Sequence, residues 1–184
     1  ATRLQRHAMD STERFKANLL NVKAFAFDVD GVCTNNQVLI SESGQLLRPA
    51  NTRDGYAISQ ANRHGFPVAI ITGGRTQSVA TRFEMLGCKH IYLGVADKVV
   101  ALRDFCQKVA IAPEAVLYMG DDMPDYHAMQ AVGFPTCPCD AAPEIQRISR
   151  YISGFRGGEG CVRDVVEQVL KLHNHWHPGE SAHQ

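Results

Sequence analysis

The sequence lacks an excess of charge of either sign. Its 184 residues include 19 Lys and Arg and 19 Asp and Glu, which gives a formal net charge of +0. Nucleic acids and anionic membrane surfaces are usually held by clustered positive charge, which a balanced composition does not favour. We therefore expect neither a nucleic acid nor a membrane as the partner of this protein.

Long hydrophobic runs are also missing. No apolar stretch approaches the roughly 20 residues that a transmembrane helix needs. The first residues carry charges throughout and lack the apolar centre of a secretory signal. Both observations predict a soluble, cytoplasmic protein, in which the six cysteines are free thiols.

Short apolar segments alternate with amphipathic ones along the chain. The predicted strands are residues 23–27, 67–71, 90–93, 115–119, 133–136 and 150–152, and the predicted helices are residues 57–64, 76–86, 97–109, 125–132, 143–148 and 162–173. Such alternation is typical of βαβ units, in which helices cover both faces of a parallel sheet. The pattern predicts an α/β fold with three layers, α/β/α, of the Rossmann-like kind.

Two further features complete the predicted organisation. Residues 38–40 and 46–47 flank a turn that contains Gly44, which predicts a protruding β-hairpin. We expect one domain over residues 1–184, with residues 1–20 as an N-terminal arm and residues 174–184 as a flexible tail.

Carboxylates follow two of the predicted strands. Asp28 and Asp30 come directly after the first strand, and Asp121, Asp122 and Asp125 follow the fourth. Alternate residues of an extended segment face the same way and lie roughly 6–7 Å apart. Carboxylates this close repel one another unless a cation lies among them, and their oxygens suit Mg²⁺.

A hydroxyl and an ammonium group complement these acids. Thr72 follows the second predicted strand beside Gly73, and Lys98 follows the third. Ligands of parallel sheets bind where the strands end, so these groups are expected at the same edge as the acids. The sequence therefore predicts a site that holds a phosphoryl group next to Mg²⁺.

Four ordered motifs resemble those of the haloacid dehalogenase superfamily of phosphotransferases. They are residues 27–32, 71–73, 97–98 and 120–125. The resemblance implies that Asp28 is the nucleophile that forms an aspartyl phosphate. It implies that Asp30 is the general acid and then the general base, and that Thr72 and Lys98 bind phosphoryl oxygens.

The same resemblance implies the metal ligands. Asp121 would hold Mg²⁺ together with Asp28 and the backbone carbonyl of Asp30, and Asp122 and Asp125 would be supporting acids. The segments between the motifs are too short for a cap domain. Because water weakens the electrostatics of an open site, we expect either a macromolecular substrate or a neighbouring subunit to cover it.

A narrower resemblance links the chain to 3-deoxy-D-manno-octulosonate 8-phosphate (Kdo-8-phosphate) phosphatases. It is carried by residues 51–56, 76–83, 118–122 and 157–164. The resemblance implies a homotetramer in which the hairpins at residues 38–47 associate. It also implies that the C-terminal segment of one subunit closes the site of the next, with the glycine-rich residues 157–163 as a flexible lid. Removal of residues 157–184 is then expected to leave the core folded.

The resemblance to these phosphatases also implies residues that bind the sugar phosphate. The implied contacts are Asn51, Gly55, Tyr56, Ala57, Ile58, Ser59, Arg82 and Lys98. Gly74 stands where many relatives have Arg, which makes the next residue, Arg75, a further candidate. Asn35 and Asn36 replace an Asp-Gly pair, which is expected to alter the entry to the hairpin but not the chemistry.

Several functions are compatible with these residues. The leading hypothesis is a Mg²⁺-dependent Kdo-8-phosphate phosphatase that supplies Kdo for lipopolysaccharide. Glu159 in the lid resembles the phosphatases of 2-keto-3-deoxy-nononate 9-phosphate, which makes a nine-carbon substrate the first alternative. The others are a capless phosphatase of a macromolecular phosphosubstrate and a non-catalytic relative that regulates a partner enzyme.

Overall fold

A six-stranded sheet forms the centre of the protein. The computed structural model describes residues 13–179, so that residues 1–12 of the predicted arm and residues 180–184 of the predicted tail lie outside the described residues. The strands are β1 (Ala24–Phe27), β2 (Leu39–Ile40), β3 (Leu46–Leu47), β4 (Val68–Ile71), β5 (His90–Tyr92), β6 (Val116–Met119), β7 (Phe134–Cys137) and β8 (Tyr151–Ile152). The order in the sheet is β5-β4-β1-β6-β7-β8, and its neighbouring strands pair in parallel.

Helices cover both faces of this sheet. They are α1 (residues 13–18), α2 (Thr52–Arg63), α3 (Gln77–Met85), α4 (Lys98–Val109), α5 (Tyr126–Gln130), α6 (Pro143–Ile148) and α7 (Cys161–Leu172). On β1, Phe25 and Phe27 pack with α2, α3 and α7, whereas Ala24 and Ala26 pack with α4, α5 and α6. This alternation is the two-residue period of a strand buried on both faces. The predicted three-layer α/β/α fold is confirmed.

The hairpin stands apart from the sheet. Strands β2 and β3 pair only with each other among the described residues, and they are antiparallel. Leu39 and Ile40 are 69% and 68% exposed. The segments between the first and third motifs, which lie wholly within the described residues, hold this hairpin, two helices and two strands but no cap domain.

Helix α2 begins five residues before the predicted start. The Asn51 side chain accepts hydrogen bonds from the backbone N–H groups of Arg53 and Asp54, and it thereby caps the helix. Gly55, which reads as a helix breaker, lies inside the first turns. Helix α5 begins one residue later than predicted, after the 3₁₀ turn Met123–Asp125, and it ends two residues earlier.

The last helix belongs to the core. Helix α7 packs along α2, and Val162, Val165, Val166 and Val169 are buried between them and the sheet. Loss of four buried aliphatic side chains would expose a large apolar face of α2 and the sheet. The expectation that removal of residues 157–184 leaves the core folded is therefore wrong.

The described parts of the arm and the tail also pack on the body of the protein. Phe15 is 1% exposed and its ring stacks on Tyr151 with 5.1 Å between centroids. In the tail, the His175 ring stacks on His64, and Trp176 contacts Tyr56 edge-to-face at 5.5 Å. His175 and Trp176 of the predicted flexible tail are thus packed, because their rings contact aromatic rings of α2 and of the residue after it.

We expect Phe105→Ala to lower the free energy of unfolding by about 3–5 kcal/mol, because it leaves a cavity under α4. Phe105 is fully buried. Val100 lies on the same helix and is 62% exposed, so Val100→Ala is the matched control and should change stability by no more than about 0.5 kcal/mol. Urea unfolding measures both values, and equal effects would contradict the assigned core.

Candidate active site

The end of β1 places a buried carboxylate at the sheet edge. Asp28 follows Phe27, and its Oδ1 accepts a hydrogen bond of 2.7 Å from the backbone N–H of Val29. Lys98 Nζ lies 2.9 Å from the same oxygen. Asp28 is only 7% exposed. Two donors fix one of its oxygens at the end of the central strand.

Asp125 holds several of the other groups in place. Its Oδ1 accepts from Lys98 Nζ at 2.8 Å and from the Tyr118 hydroxyl at 2.7 Å. Its Oδ2 accepts from the backbone N–H of Asp121 at 3.1 Å. Asp125 is fully buried. The predicted supporting acid therefore orients the ammonium group and the fourth motif through contacts at both oxygens.

Asp121 completes a group of three acids. One oxygen each from Asp28, Asp121 and Asp125 lies within 4.8 Å of the others, and all three residues are buried. Asn36 Nδ2 donates to Asp121 Oδ2 at 3.0 Å. Asn36 thus contacts a member of the acidic group, and the expectation that it leaves the chemistry unchanged stays a prediction.

The electrostatics of the group indicate a place for a cation. Burial raises the pKa of Asp28 well above its usual value, and the charge of Asp125 adds to this, whereas Lys98 lowers it. Burial likewise raises the pKa of Asp121 to about 6, against the hydrogen bond from Asn36. For Lys98, burial lowers the pKa, but Asp28 and Asp125 together leave it raised. One ammonium group does not neutralise three acids, and a hard divalent cation fits the remaining oxygens.

Gly31 leaves the room that Asp121 needs. Its φ of +87° lies in the left-handed region, and a Cβ built there would overlap the Asp121 carboxylate. The loop after β1 can therefore pass directly over the acidic group only with glycine at this position. This cradle is a second feature that suits the site to a metal ion.

Asp30 has a partner that the sequence did not indicate. Arg48 Nε donates to Asp30 Oδ1 at 2.6 Å, and Arg48 Nη2 donates to Oδ2 at 3.1 Å. The Asp30 side chain is 36% exposed and that of Arg48 only 9%. The hydrogen bond to Asp30 raises the pKa of Arg48. Arg48 comes from the end of the hairpin, outside the four motifs, and no local pattern marked it.

The remaining motif residues lie where the strand order predicts. Thr72 follows β4, the neighbour of β1, and its buried hydroxyl accepts from the backbone N–H of Gly74 at 3.1 Å. Asp122 is exposed and caps the 3₁₀ turn by accepting from the N–H of Met123 at 2.8 Å. The structure thus brings Asp28, Lys98, Asp121 and Asp125 into direct contact, with Asp122 at the periphery.

Comparison with known proteins agrees with this geometry. Residues 87–163 match the family of haloacid dehalogenase-like hydrolases. The chain is 38% identical over 150 residues to the 3-deoxy-D-manno-octulosonate 8-phosphate phosphatase KdsC of Escherichia coli K12, which covers 82% of this chain and 80% of that protein. The chain belongs to this phosphatase family.

Solved structures support the family assignment. A putative Kdo-8-phosphate phosphatase from Vibrio cholerae superposes with a TM-score of 0.85 at 36% identity, over 89% of this chain and 92% of that chain. The Moraxella catarrhalis enzyme, in complex with magnesium ion, phosphate ion and KDO, gives a TM-score of 0.84 at 32% identity, over 88% and 92%. The predicted membership of the haloacid dehalogenase superfamily is therefore confirmed.

A cavity of about 360 Å³ opens beside Asp30 in this member of the Kdo-8-phosphate phosphatase family. Of the residues predicted to bind the sugar, it is lined by Asn51, Gly55, Ile58 and Arg82. The first three lie on one face of α2, since they are spaced by four and three residues. The cavity is thus built by α2, α3 and the end of the hairpin.

Four other predicted sugar contacts lie elsewhere. Ala57 belongs to the core and has no exposed surface. Ser59 is nearly buried, and Tyr56 packs on Trp176. Arg75 is exposed, and the stem of its side chain lies beside Gly94. The contact expected from the Ala57 side chain is therefore wrong, because successive residues of a helix point in different directions.

The glycine-rich segment is attached to its own chain. Asn51 Nδ2 donates to the carbonyl of Gly158 at 2.9 Å, and the N–H of Gly158 donates to the carbonyl of Val32 at 2.8 Å. A Cβ at Gly157 would overlap the carbonyl of Gly31. Close approach to the first motif, rather than flexibility, explains glycine at these two positions. Glu159 lines a separate polar groove with Arg53 and Arg163.

We expect Gly31→Ala to weaken Mg²⁺ binding by about ten- to a hundredfold, because the added methyl displaces Asp121. Gly65 has a similar φ of +80° but no heavy atom near the place of its Cβ. Gly65→Ala is therefore the matched control, which carries the backbone strain without the overlap. Calorimetric titration with Mg²⁺ measures both affinities, and an equal loss in the two variants would contradict the assigned role of Gly31.

Proposed function

We propose that this protein hydrolyses 3-deoxy-D-manno-octulosonate 8-phosphate to Kdo and inorganic phosphate, in the pathway to lipopolysaccharide. The observation that carries the proposal is the contact of Lys98 with Asp28 beside Asp121, in a chain 38% identical to a Kdo-8-phosphate phosphatase. A nucleophile, a cation for the phosphoryl group and a metal site stand together there. The enzyme is a phosphoric monoester hydrolase.

Mg²⁺ is the cofactor, and we propose Asp28, Asp121 and the backbone carbonyl of Asp30 as its protein ligands. Bound Mg²⁺ neutralises charge on the phosphoryl oxygens and so reduces their repulsion of the attacking carboxylate. Both oxygens of Asp125 accept hydrogen bonds. Asp125 is therefore assigned to orient Lys98 and Asp121 rather than to bind the ion.

In the first step, one carboxylate oxygen of Asp28 attacks the phosphorus atom, and its other oxygen would hold Mg²⁺. The bond between phosphorus and the sugar oxygen breaks, and Asp30 gives its proton to the departing alkoxide. Lys98 and the Thr72 hydroxyl contact the phosphoryl oxygens during the transfer. Fixed donors at developing charge stabilise the transition state.

In the second step, water attacks the phosphorus of the aspartyl phosphate and gives a proton to Asp30. The bond from Asp28 to phosphorus breaks, and inorganic phosphate leaves. Two displacements by way of a covalent intermediate replace one difficult hydrolysis. The same carboxyl group, Asp30, serves as acid and then as base.

We assign the sugar to the cavity beside Asp30. Arg82 offers a planar pair of donors that suits the sugar carboxylate, and Asn51 lies at the same wall. Arg75 and Tyr56 remain candidate contacts only if the sugar extends beyond this cavity. None of the described helices is long and apolar enough to cross a bilayer, and a cytoplasmic place of action stays a prediction.

We further propose that the chain is one domain over residues 1–184 and assembles as a homotetramer through the hairpin. The hairpin presents five exposed apolar residues, Val38, Leu39, Ile40, Leu46 and Leu47. A two-stranded ribbon with apolar side chains on the surface is marginal alone and gains stability from a second copy. A lid contributed by a neighbouring subunit is part of the same proposal; because Gly157 and Gly158 are fixed on the first motif of their own chain, other residues of the neighbour would form it.

The catalytic proposal is tested by release of phosphate from Kdo-8-phosphate and from the nine-carbon analogue, with Mg²⁺ and with chelator. We expect a Mg²⁺-dependent preference for eight carbons and a loss of roughly 10⁴-fold or more in Asp28→Asn. Asp104→Asn, which changes a surface acid of α4, is the control and should retain full activity. A preference for the nine-carbon substrate would change the assigned substrate. Substantial activity in Asp28→Asn would exclude an aspartyl-phosphate intermediate.

The assembly proposal is tested by Leu39→Glu with Ile40→Glu. Burial of such side chains is worth about 1.5–3 kcal/mol each, so two carboxylates in their place should dissociate the tetramer. Light scattering should then give a mass near 20.3 kDa for the variant and about four times that for the parent. Val100→Glu changes an exposed residue of α4 and should leave the mass unchanged. A monomeric parent protein would refute the assembly.

A further inference from the structure

The side chain of Arg48 is largely shielded from solvent although the residue belongs to the exposed hairpin. It directly follows β3, whose residues Leu46 and Leu47 are 38% and 43% exposed. The Arg48 side chain is only 9% exposed, because it turns from the hairpin towards Asp30. The guanidinium of a surface element thus lies inside the site.

Four hydrogen bonds fix the guanidinium, and the longest of them, 3.4 Å, runs from Nη1 to the carbonyl of Leu46. Nε and Nη2 form a fork on the two oxygens of Asp30, at 2.6 and 3.1 Å. Nη1 donates to Thr76 Oγ1 at 3.1 Å. A planar fork on a carboxylate fixes both the position and the plane of the acid. Thr76, which immediately precedes α3, anchors the other side of the group.

Gly74 leaves space for this arrangement. A Cβ built at position 74 would lie 3.3 Å from Arg48 Nη2 and 3.4 Å from Thr72 Oγ1. A side chain there would therefore crowd the guanidinium on one side and the predicted phosphoryl contact on the other. Arg48 enters the site through the gap that Gly74 provides.

The fork holds both oxygens of Asp30, and this matters for the transfer of a proton. Nε donates to Oδ1 at 2.6 Å and Nη2 donates to Oδ2 at 3.1 Å, so the position of the whole carboxyl group is set. Asp30 is the most exposed carboxylate of the catalytic group, so without this fork its side chain could rotate. Proton transfer requires the acid within hydrogen-bond distance of the departing oxygen, and small errors in position reduce rates strongly.

We propose that Arg48 is a positioning residue that acts through Asp30. It holds the carboxyl group so that Asp30 delivers its proton to the departing alkoxide as the bond from phosphorus to the alkoxide oxygen breaks. This inference rests on the proposed phosphatase function and extends it to a residue outside the four motifs. It also means that a residue at the end of the hairpin, Arg48, holds the general acid Asp30 in place.

The choice of leaving group separates this role from others. An alkoxide, such as the departing oxygen of Kdo, is a poor leaving group and needs the proton of Asp30. The p-nitrophenolate ion is a good leaving group and departs without one. Loss of the positioned acid should therefore slow cleavage of the alkyl ester and leave cleavage of the aryl ester nearly unchanged. A contact to the phosphoryl group or a defect in folding would affect both esters. Arg48 also lines the cavity assigned to the sugar, and a contact to the sugar would spare a simple primary alkyl phosphate, so such an ester is measured beside the other two and should lose activity with Kdo-8-phosphate.

The experiment compares kcat/KM for Kdo-8-phosphate and for p-nitrophenyl phosphate, since this ratio reports the first transfer rather than release of phosphate. We expect Arg48→Met to lower the alkyl value by roughly 10²-fold and the aryl value by less than about threefold. For the alkyl ester, the kcat/KM of Arg48→Lys should lie between the values of Arg48→Met and of the parent protein. Arg147→Met, at a 68% exposed arginine of α6, should change neither value.

Equal losses for the two esters, or no loss for either, would overturn the proposal. If Arg48→Met fails to fold by circular dichroism, Arg48→Lys and Thr76→Val, which removes the second anchor, carry the same comparison. If the parent cleaves the aryl ester but not Kdo-8-phosphate, the proposed substrate fails, and the test of Arg48 uses another primary alkyl phosphate that the parent cleaves. Activity on no phosphate ester would refute both proposals.

Discussion

The buried carboxylate of Asp125 is the constraint on which the rest of the site depends. It accepts from Lys98, from the Tyr118 hydroxyl and from the backbone of Asp121, and it has no exposed surface. A buried charge is tolerated only where its oxygens are satisfied. Because these three donors come from α4, β6 and the turn after β6, one residue fixes the relative positions of three elements. Lys98 is thereby directed towards Asp28 instead of solvent.

The sequence was sufficient for the parts of the site that each strand carries by itself. Asp28, Thr72 and Asp121 follow strands whose apolar residues are evident, and parallel strands end at one edge, so their proximity could be predicted. Arg48 could not be found in this way, because its contact with Asp30 depends on the path of the hairpin. Asn36 was seen as a departure from relatives, but its reach to Asp121 follows from a left-handed backbone at φ +67° that no spacing rule reveals.

The boundaries of the helices show the same limit. The predicted helix began at Ala57, whereas the Asn51 cap starts α2 earlier and makes Asn51, Gly55 and Ile58 one wall of the cavity. The cap and packing against α7 extend the helix over residues that the apolar pattern did not mark. The consecutive residues 55–59, which were expected to contact the sugar, are distributed around a helix, which is why Ala57 lies in the core.

The close packing of Gly157 and Gly158 on the loop of the first motif has a consequence for the synthesis of the protein. The loop that carries Asp30 is braced by a segment more than 120 residues later, through the carbonyls of Gly31 and Val32. The four motifs are complete in the chain by residue 125. A growing chain on the ribosome would nevertheless lack this brace until residues 157 and 158 had emerged. The loop that carries the nucleophile and the general acid is therefore synthesised well before the segment that supports it.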